Sequence, residues 1–156
     1  MTMLTEEEKH EILEETKLYP YPAAACLDAL MIVQKHRRWV TDESVKDIAG
    51  LLDISAEHVD GVATFYSRIY RKEVGHHVIL VCDGISCMIM GYEKIADYLV
   101  EKLHIHYGET TPDMRFTLLP ISCLGDCDHA PSLMIDNDLY HDLTVEKIDL
   151  LLDTYK

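Results

Sequence analysis

Residues 77–87 read HVILVCDGISC, an apolar run with one cysteine at its end and another five positions later. Residues 116–127 read FTLLPISCLGDC, in which two more cysteines follow a second, largely apolar run. Continuous apolar runs of this length are typical of buried strands. Two such strands separated by a helix usually pair in parallel, so both pairs of cysteines are expected at the same edge of a sheet.

The four cysteines have the spacing of a metal site. Cys82 and Cys87 are separated by four residues, Cys123 and Cys127 by three, and the two pairs by 35. Thiolates are preferred ligands of soft metals, so the pattern indicates either structural zinc or an iron–sulfur cluster. Neither pair has the Cys-x-x-Cys spacing of thioredoxin-like redox sites, and Cys26 is expected in a helical core.

The residues around the pairs favour an iron–sulfur cluster over zinc, although four cysteines alone allow either. Gly84 and Gly125 give the two loops backbone freedom, so that N–H groups can turn inward and donate hydrogen bonds to sulfur. Met88 and Met90 supply an apolar cover beside the first pair. Disulfides are disfavoured because the amino-terminal segment lacks the features of a secretory signal, which indicates a reducing compartment.

The charge of the chain is strongly negative, with 28 acidic residues, 14 basic residues and a formal net charge of −14. This balance argues against nucleic acid as a partner, since phosphates need lysine and arginine, and against an anionic membrane surface. No apolar run approaches the roughly 18 residues of a membrane span. The sequence contains neither a Gly-x-Gly-x-x-Gly turn nor a Walker A motif, so we predict no nucleotide site and no stand-alone catalytic residue.

The first part of the chain predicts four helices joined by short loops. Thr5 and Glu8 have the spacing of a capping box, and a second helix is predicted to begin near Ala23, after two prolines. Thr41 and Ser55 are the predicted N-caps of the third and fourth helices.

We therefore predict two domains, a helical one at 1–70 and one that carries the cysteines at 71–156. The period of the apolar pattern changes after the junction, from helical spacing to continuous and alternating runs. The predicted elements of the second domain are strands at His77–Cys82, Arg115–Ile121, Ser132–Ile135 and Leu139–His141, a turn at 136–138, and helices at Gly91–Leu103 and from Thr144 to Leu152.

Longer motifs resemble a known family. The run DMRFTLLPISCLGDCDHAP at 113–131 is similar throughout to the signature of the family of the 24-kDa subunit of respiratory complex I. In bacteria that protein is the E subunit of NADH:quinone oxidoreductase. The segment GVATFY at 61–66, residues 33–39 and the first cysteine pair resemble the same family, and the resemblance extends from the first helix to the last residue.

The resemblance implies an α+β or α/β architecture, in which an N-terminal helical bundle precedes a thioredoxin-like [2Fe–2S] ferredoxin domain. It implies one [2Fe–2S] cluster with Cys82, Cys87, Cys123 and Cys127 as ligands. It also implies an electron-transfer subunit of proton-translocating NADH:quinone oxidoreductase, whose cluster accepts an electron from FMN in the partner chain that binds NADH.

The partners implied by the family are this flavin-binding chain, which is of the 51-kDa type, and the other peripheral-arm subunits of complex I. The implied location is cytoplasmic and peripheral on the inner face of the bacterial plasma membrane, or the matrix for a mitochondrial protein. Two alternatives stay open: the equivalent subunit of another NAD-linked diaphorase, belonging to a hydrogenase or formate dehydrogenase, and a structural zinc domain.

Three aspartates, Asp83, Asp126 and Asp128, lie in or beside the cysteine loops. Fixed negative charge opposes the addition of an electron, so these residues are expected to lower the reduction potential of a cluster. His129 is interpreted as a solvated loop residue rather than as a residue that tunes the cluster.

Overall fold

The computed structural model describes residues 3–155, and the chain divides into two compact units, Met1–Glu73 and Val74–Lys156. The first unit is helical and the second combines a four-stranded sheet with helices, which confirms the predicted order of a helical part and an α+β part. No helix within residues 3–155 is long and apolar enough to cross a membrane. The helices are α1 (Glu6–Thr16), α2 (Cys26–Arg37), α3 (Asp42–Leu52), α4 (Ala56–Phe65), α5 (Ile85–Ile89), α6 (Tyr92–Leu103) and α7 (Val145–Thr154). The strands are β1 (His77–Cys82), β2 (Phe116–Ile121), β3 (Leu133–Ile135) and β4 (Asp138–Tyr140).

The predicted helix starts of the first unit are confirmed, with one correction. Thr5 and Glu8 form a capping box at α1, and the side chains of Thr41 and Ser55 cap α3 and α4. The second helix begins differently from the prediction, because Pro22–Ala25 forms a tight 3-10 turn and α2 starts only after it. Proline is accommodated in a first turn, where its missing N–H is not needed, and 3-10 turns are common at helix N-termini.

An ion pair is buried in the first unit. The Glu8 side chain is only 1% exposed, and its two oxygens accept hydrogen bonds from Nε and Nη2 of Arg37, both at 2.6 Å. The same carboxylate accepts the N–H of Thr5 at 2.7 Å, so the start of α1 is tied to the end of α2. Burial by itself would raise the pKa of Glu8, but the hydrogen bonds from Arg37 and Thr5 outweigh it and lower that pKa.

The second unit is built on a sheet with strand order β2-β1-β3-β4. β1 and β2 are parallel, as predicted, and β3 is antiparallel to both β1 and β4. β4 begins at Asp138, which was predicted to lie in the turn, because Asp136 adopts a left-handed conformation (φ 56°) and tightens the reversal. The core beside the sheet includes the fully buried side chains of Leu99 from α6, Leu118 from β2 and Ile148 from α7.

Replacing Glu8 by glutamine should destabilise the chain by about 3 kcal/mol, because Arg37 keeps its charge in a site that matches a carboxylate. Glu11→Gln on the same helix is the matched control, since Glu11 pairs with Lys35 and His36 at the surface, where ion pairs contribute little. Denaturant unfolding of both variants measures the difference. Equal destabilisation would contradict the buried-pair account.

The same pair predicts the sign of a pH dependence. Because the pKa of Glu8 is lower in the folded chain than in the unfolded chain, its contribution is fully present above the ordinary pKa of a glutamate. The contribution is lost as pH falls through the lowered value. On acidification the wild type should therefore lose more stability than Glu8→Gln, and the two free energies of unfolding should converge.

Candidate metal centre

The first cysteine loop begins where β1 ends. Cys82 is the last residue of β1 and is buried. It pairs with Ile121 in the parallel strand β2, and Asp83 continues the pairing by donating its N–H to the Ile121 carbonyl at 3.0 Å. The chain therefore leaves both strands at the same edge of the sheet, so the two cysteine loops start side by side.

Gly84 allows the tight turn between β1 and α5. A Cβ at this position would lie 2.8 Å from the carbonyl oxygen of Ser122 and 3.5 Å from the sulfur of Cys82. The chain then forms α5, which carries Cys87 with its side chain 1% exposed. The sequence predicted a loop rather than a helix here, because five residues are too few to show a helical period.

The second cysteine loop follows β2 and is open to solvent. Cys123 and Cys127 are both exposed, and both are free thiols. Gly125 between them has a left-handed backbone (φ 79°), which glycine adopts without strain, and it donates its N–H to the sulfur of Cys123 at 3.3 Å. This turn brings the sulfurs of Cys123 and Cys127 to 3.8 Å from each other.

The two loops contact each other. Cys82 and Cys87 lie in one buried cluster with Ala130, and Leu124 of the second loop packs against this cluster. α5, which carries Cys87, also contacts the 3-10 turn that begins at Cys127. The structure thus brings the four predicted ligand residues together at one edge of the sheet.

The spacing of the sulfurs tests which metal group they fit. Two thiolates on one tetrahedral ion, with bonds of about 2.3 Å, lie about 3.8 Å apart. This is the separation found for Cys123 and Cys127, while Cys82 and Cys87 lie together in one buried cluster. A single zinc ion would need all four sulfurs at this spacing, yet within residues 3–155 no three cysteine sulfurs lie within 4.8 Å of one another. The thiolates therefore fit two adjacent irons better than one zinc ion.

The protein alone does not favour ionisation of Cys82 or Cys127. Burial raises the pKa of Cys82, against the opposing effect of N–H groups from Gly84 and Leu124. The adjacent sulfur of Cys123 raises the pKa of Cys127. Because ligands must be thiolates, a metal has to displace these protons, and its affinity for the site increases with pH.

The second loop borders a group of histidines and aspartates. His129 is half exposed, with Asp128 and Asp142 at 3.6 and 3.5 Å and the ring of His141 at 4.9 Å. Asp126 is more enclosed, since its side chain is 13% exposed and lies 3.6 Å from Nδ1 of His141. Its Oδ2 has no hydrogen-bond partner within the described residues. A largely buried carboxylate is thus held beside the second cysteine pair.

Four apolar side chains are exposed on and just after α5. Ile85 and Ile89 are each 77% exposed, and Met88 and Met90 are 50% and 61% exposed. Met88 and Met90 are therefore not packed into the protein, and their role as an apolar cover beside the first pair stays a prediction. α5 buries the side of the helix that carries Cys87 and leaves its other faces outward.

One serine contacts a predicted ligand but was not identified from the sequence. Ser132 lies just before β3 with its Oγ 3.8 Å from the sulfur of Cys87. No spacing or periodicity marks this residue.

Comparisons with known proteins agree with this geometry. A family model described as thioredoxin-like [2Fe-2S] ferredoxin matches residues 11–156. The chain is 50% identical over 153 residues to the E subunit of NADH-quinone oxidoreductase from Escherichia coli (strain K12), and the match covers 98% of this chain and 92% of that protein. It is 48% identical over 153 residues to the protein of the same name in Buchnera aphidicola subsp. Acyrthosiphon pisum, with 98% of this chain and 94% of that one covered.

A solved structure shares the fold. The NAD+-reducing [NiFe]-hydrogenase in its H2-reduced state superposes with a TM-score of 0.72 and 20% sequence identity. The match covers 85% of this chain and 22% of the hydrogenase chain. At this identity the likeness concerns the fold alone.

Gly84→Ala should reduce the iron and acid-labile sulfide bound per chain several-fold, because the new Cβ would meet the Ser122 carbonyl and displace the first cysteine loop. Gly61→Ala is the matched control. Gly61 lies in α4 with open space around the position of its Cβ, so alanine there should leave metal binding unchanged and stabilise the helix by up to about 1 kcal/mol. Iron and sulfide assays check both variants, and undiminished binding in Gly84→Ala would show that the loop tolerates the shift.

Proposed function

This chain belongs to the thioredoxin-like [2Fe-2S] ferredoxin family, and on that premise we propose that it is an electron-transfer subunit of an NADH:quinone oxidoreductase. The observation that carries the proposal is the separation of the sulfurs into two pairs, with Cys123 and Cys127 3.8 Å apart. Relatives named as E subunits of NADH-quinone oxidoreductase, at 47–50% identity over nearly the whole chain, support the assignment to this enzyme.

We assign Cys82 and Cys87 as ligands of one iron, and Cys123 and Cys127 as ligands of the other, in a single [2Fe–2S] cluster. When bound, this group supplies one-electron chemistry, because it takes up and releases a single electron. The residues of the chain bind and orient it. The buried pair keeps water from one side, and the N–H of Gly125 turns toward a ligand sulfur on the other.

The electron donor is proposed to be FMN in a partner chain of the 51-kDa type that also binds NADH. NADH gives up two electrons as a hydride, so a flavin is needed to pass them on to one-electron carriers. The exposed cysteines, Cys123 and Cys127, mark the side of the centre that is open to a partner. The exposed apolar residues of α5 lie near this side and support a protein contact there, since clustered apolar surface marks interaction sites.

The same proposal places the chain among the peripheral-arm subunits, on the cytoplasmic side of the plasma membrane in a bacterium. Its part in the reaction is to transfer electrons rather than to make or break covalent bonds. Its function therefore depends on the residues that hold the cluster and set its reduction potential. The equivalent subunit of an NAD-linked hydrogenase is the second candidate, because the hydrogenase fold superposes on most of this chain. The much higher identity to the relatives from NADH-quinone oxidoreductase favours the first.

The test of the cluster is an EPR spectrum of the anaerobically purified, dithionite-reduced protein, combined with iron, sulfide and zinc assays. We expect a rhombic spin-half signal with iron and sulfide in equal amounts, and no stoichiometric zinc. Cys127→Ser should lose the signal or change it strongly, whereas Cys26→Ala, a buried cysteine of the first unit, should keep it. Stoichiometric zinc, with no iron or sulfide even after reconstitution, would overturn the proposal.

Asp126→Asn should raise the reduction potential of the cluster, because the variant removes a largely buried negative charge beside the second cysteine pair. Asp128→Asn is the matched control on the other side of Cys127. Asp128 is 85% exposed, so solvent and salt screen its charge and the shift should be much smaller. EPR-monitored redox titration measures both, and a lowered or unchanged potential in Asp126→Asn would refute the electrostatic account.

A further inference from the structure

One cysteine sulfur of the site receives a hydrogen bond from the backbone. The N–H of Gly125 donates to the sulfur of Cys123 at 3.3 Å. This donor is fixed by the course of the loop, and a side-chain substitution elsewhere does not remove it.

Cys87 has a serine hydroxyl beside it instead. Oγ of Ser132 lies 3.8 Å from the sulfur of Cys87, within the range of hydrogen bonds to sulfur.

The position of Ser132 calls for a functional explanation. The residue is 1% exposed, and its carbonyl oxygen accepts the N–H of Cys82 at 3.2 Å. A buried hydroxyl without a partner costs about 1–3 kcal/mol, so a small apolar residue would be favoured here if packing were the only requirement. A neutral thiol is a weak acceptor and a thiolate a much stronger one. The hydroxyl is thus best satisfied when Cys87 is ionised as a ligand.

We propose that the hydroxyl of Ser132 donates a hydrogen bond to the Cys87 thiolate and thereby raises the reduction potential of the cluster. The inference rests on the proposed [2Fe–2S] cluster. Reduction adds one electron, whose charge is shared with the ligand sulfurs. A hydrogen bond to sulfur becomes stronger as the sulfur becomes more negative, so the donor stabilises the reduced form more than the oxidised form.

Ser132→Ala in the cluster-loaded protein is the primary test, read by EPR-monitored redox titration with dithionite as the source of the electron. The ratio of reduced to oxidised cluster at the wild-type midpoint should fall several-fold, and a tenfold fall corresponds to a shift of about 59 mV for one electron. Ser132→Thr keeps a hydroxyl and should restore most of the potential. Ser122→Ala is the matched control, because Ser122 is exposed and lies directly before Cys123.

A spectroscopic readout separates a hydrogen bond from a packing effect. Electron–nuclear double resonance of the reduced protein, compared in H2O and D2O, should lose one exchangeable proton coupling in Ser132→Ala and retain it in Ser132→Thr. The thermal unfolding midpoint of Ser132→Ala should stay close to that of the wild type. A residue that acted only through packing would change stability without removing this coupling.

The outcomes are distinct. An unchanged or raised potential in a fully loaded Ser132→Ala, or an equal shift in Ser122→Ala, would overturn the inference. If Ser132→Ala does not retain iron and sulfide, Ser132→Thr carries the test, and a potential near that of the wild type is expected with the exchangeable proton coupling retained. Cluster loss in both variants, with Ser122→Ala intact, would overturn the inference and assign Ser132 to assembly instead of tuning. Absence of iron and sulfide from the wild type would reject the proposed function itself.

Discussion

The parallel pairing of β1 with β2 is the constraint on which the metal centre depends. Cys82 lies opposite Ile121, so the chain leaves both strands at the same edge and the two cysteine loops begin as neighbours. Val78 to Cys82 are all buried, so both faces of β1 are covered and the strand lies inside the sheet, between β2 and β3. Sulfurs that are 35 residues apart in the chain are in this way brought together by the sheet rather than by the loops themselves.

Once the sheet has set the starting points, close backbone approaches determine the paths of the loops. The space beside Gly84 is filled by the Ser122 carbonyl, and the left-handed turn at Gly125 aims an N–H at a sulfur. Donors favour the addition of an electron and the carboxylate of Asp126 opposes it. The potential of the centre is therefore a balance between hydrogen bonds and fixed charge within a few residues of the ligands.

Much of this architecture follows from local sequence rules, whereas the contacts made to the cysteine sulfurs do not. The capping residues and the long apolar strands were predictable because each signal lies within a few neighbouring positions. α5 and the 3-10 turn at Pro22–Ala25 were not, since they are too short to show a period. The cysteine spacing predicted a metal site but allowed zinc or iron, and the match to a thioredoxin-like [2Fe-2S] ferredoxin family model favours iron. The role of Ser132 depends on its contact with Cys87, which is 45 residues away in the chain, so no local pattern reveals it.

The unequal burial of the two cysteine pairs has a consequence for the durability of the protein. Cys82 and Cys87 are enclosed, while Cys123 and Cys127 are open to solvent. Oxidants such as peroxide attack thiolates that they can reach, and the products no longer bind iron as the thiolate does. If the four cysteines hold the proposed cluster, oxidative damage in the separated chain should therefore begin at Cys123 and Cys127 rather than at the enclosed pair.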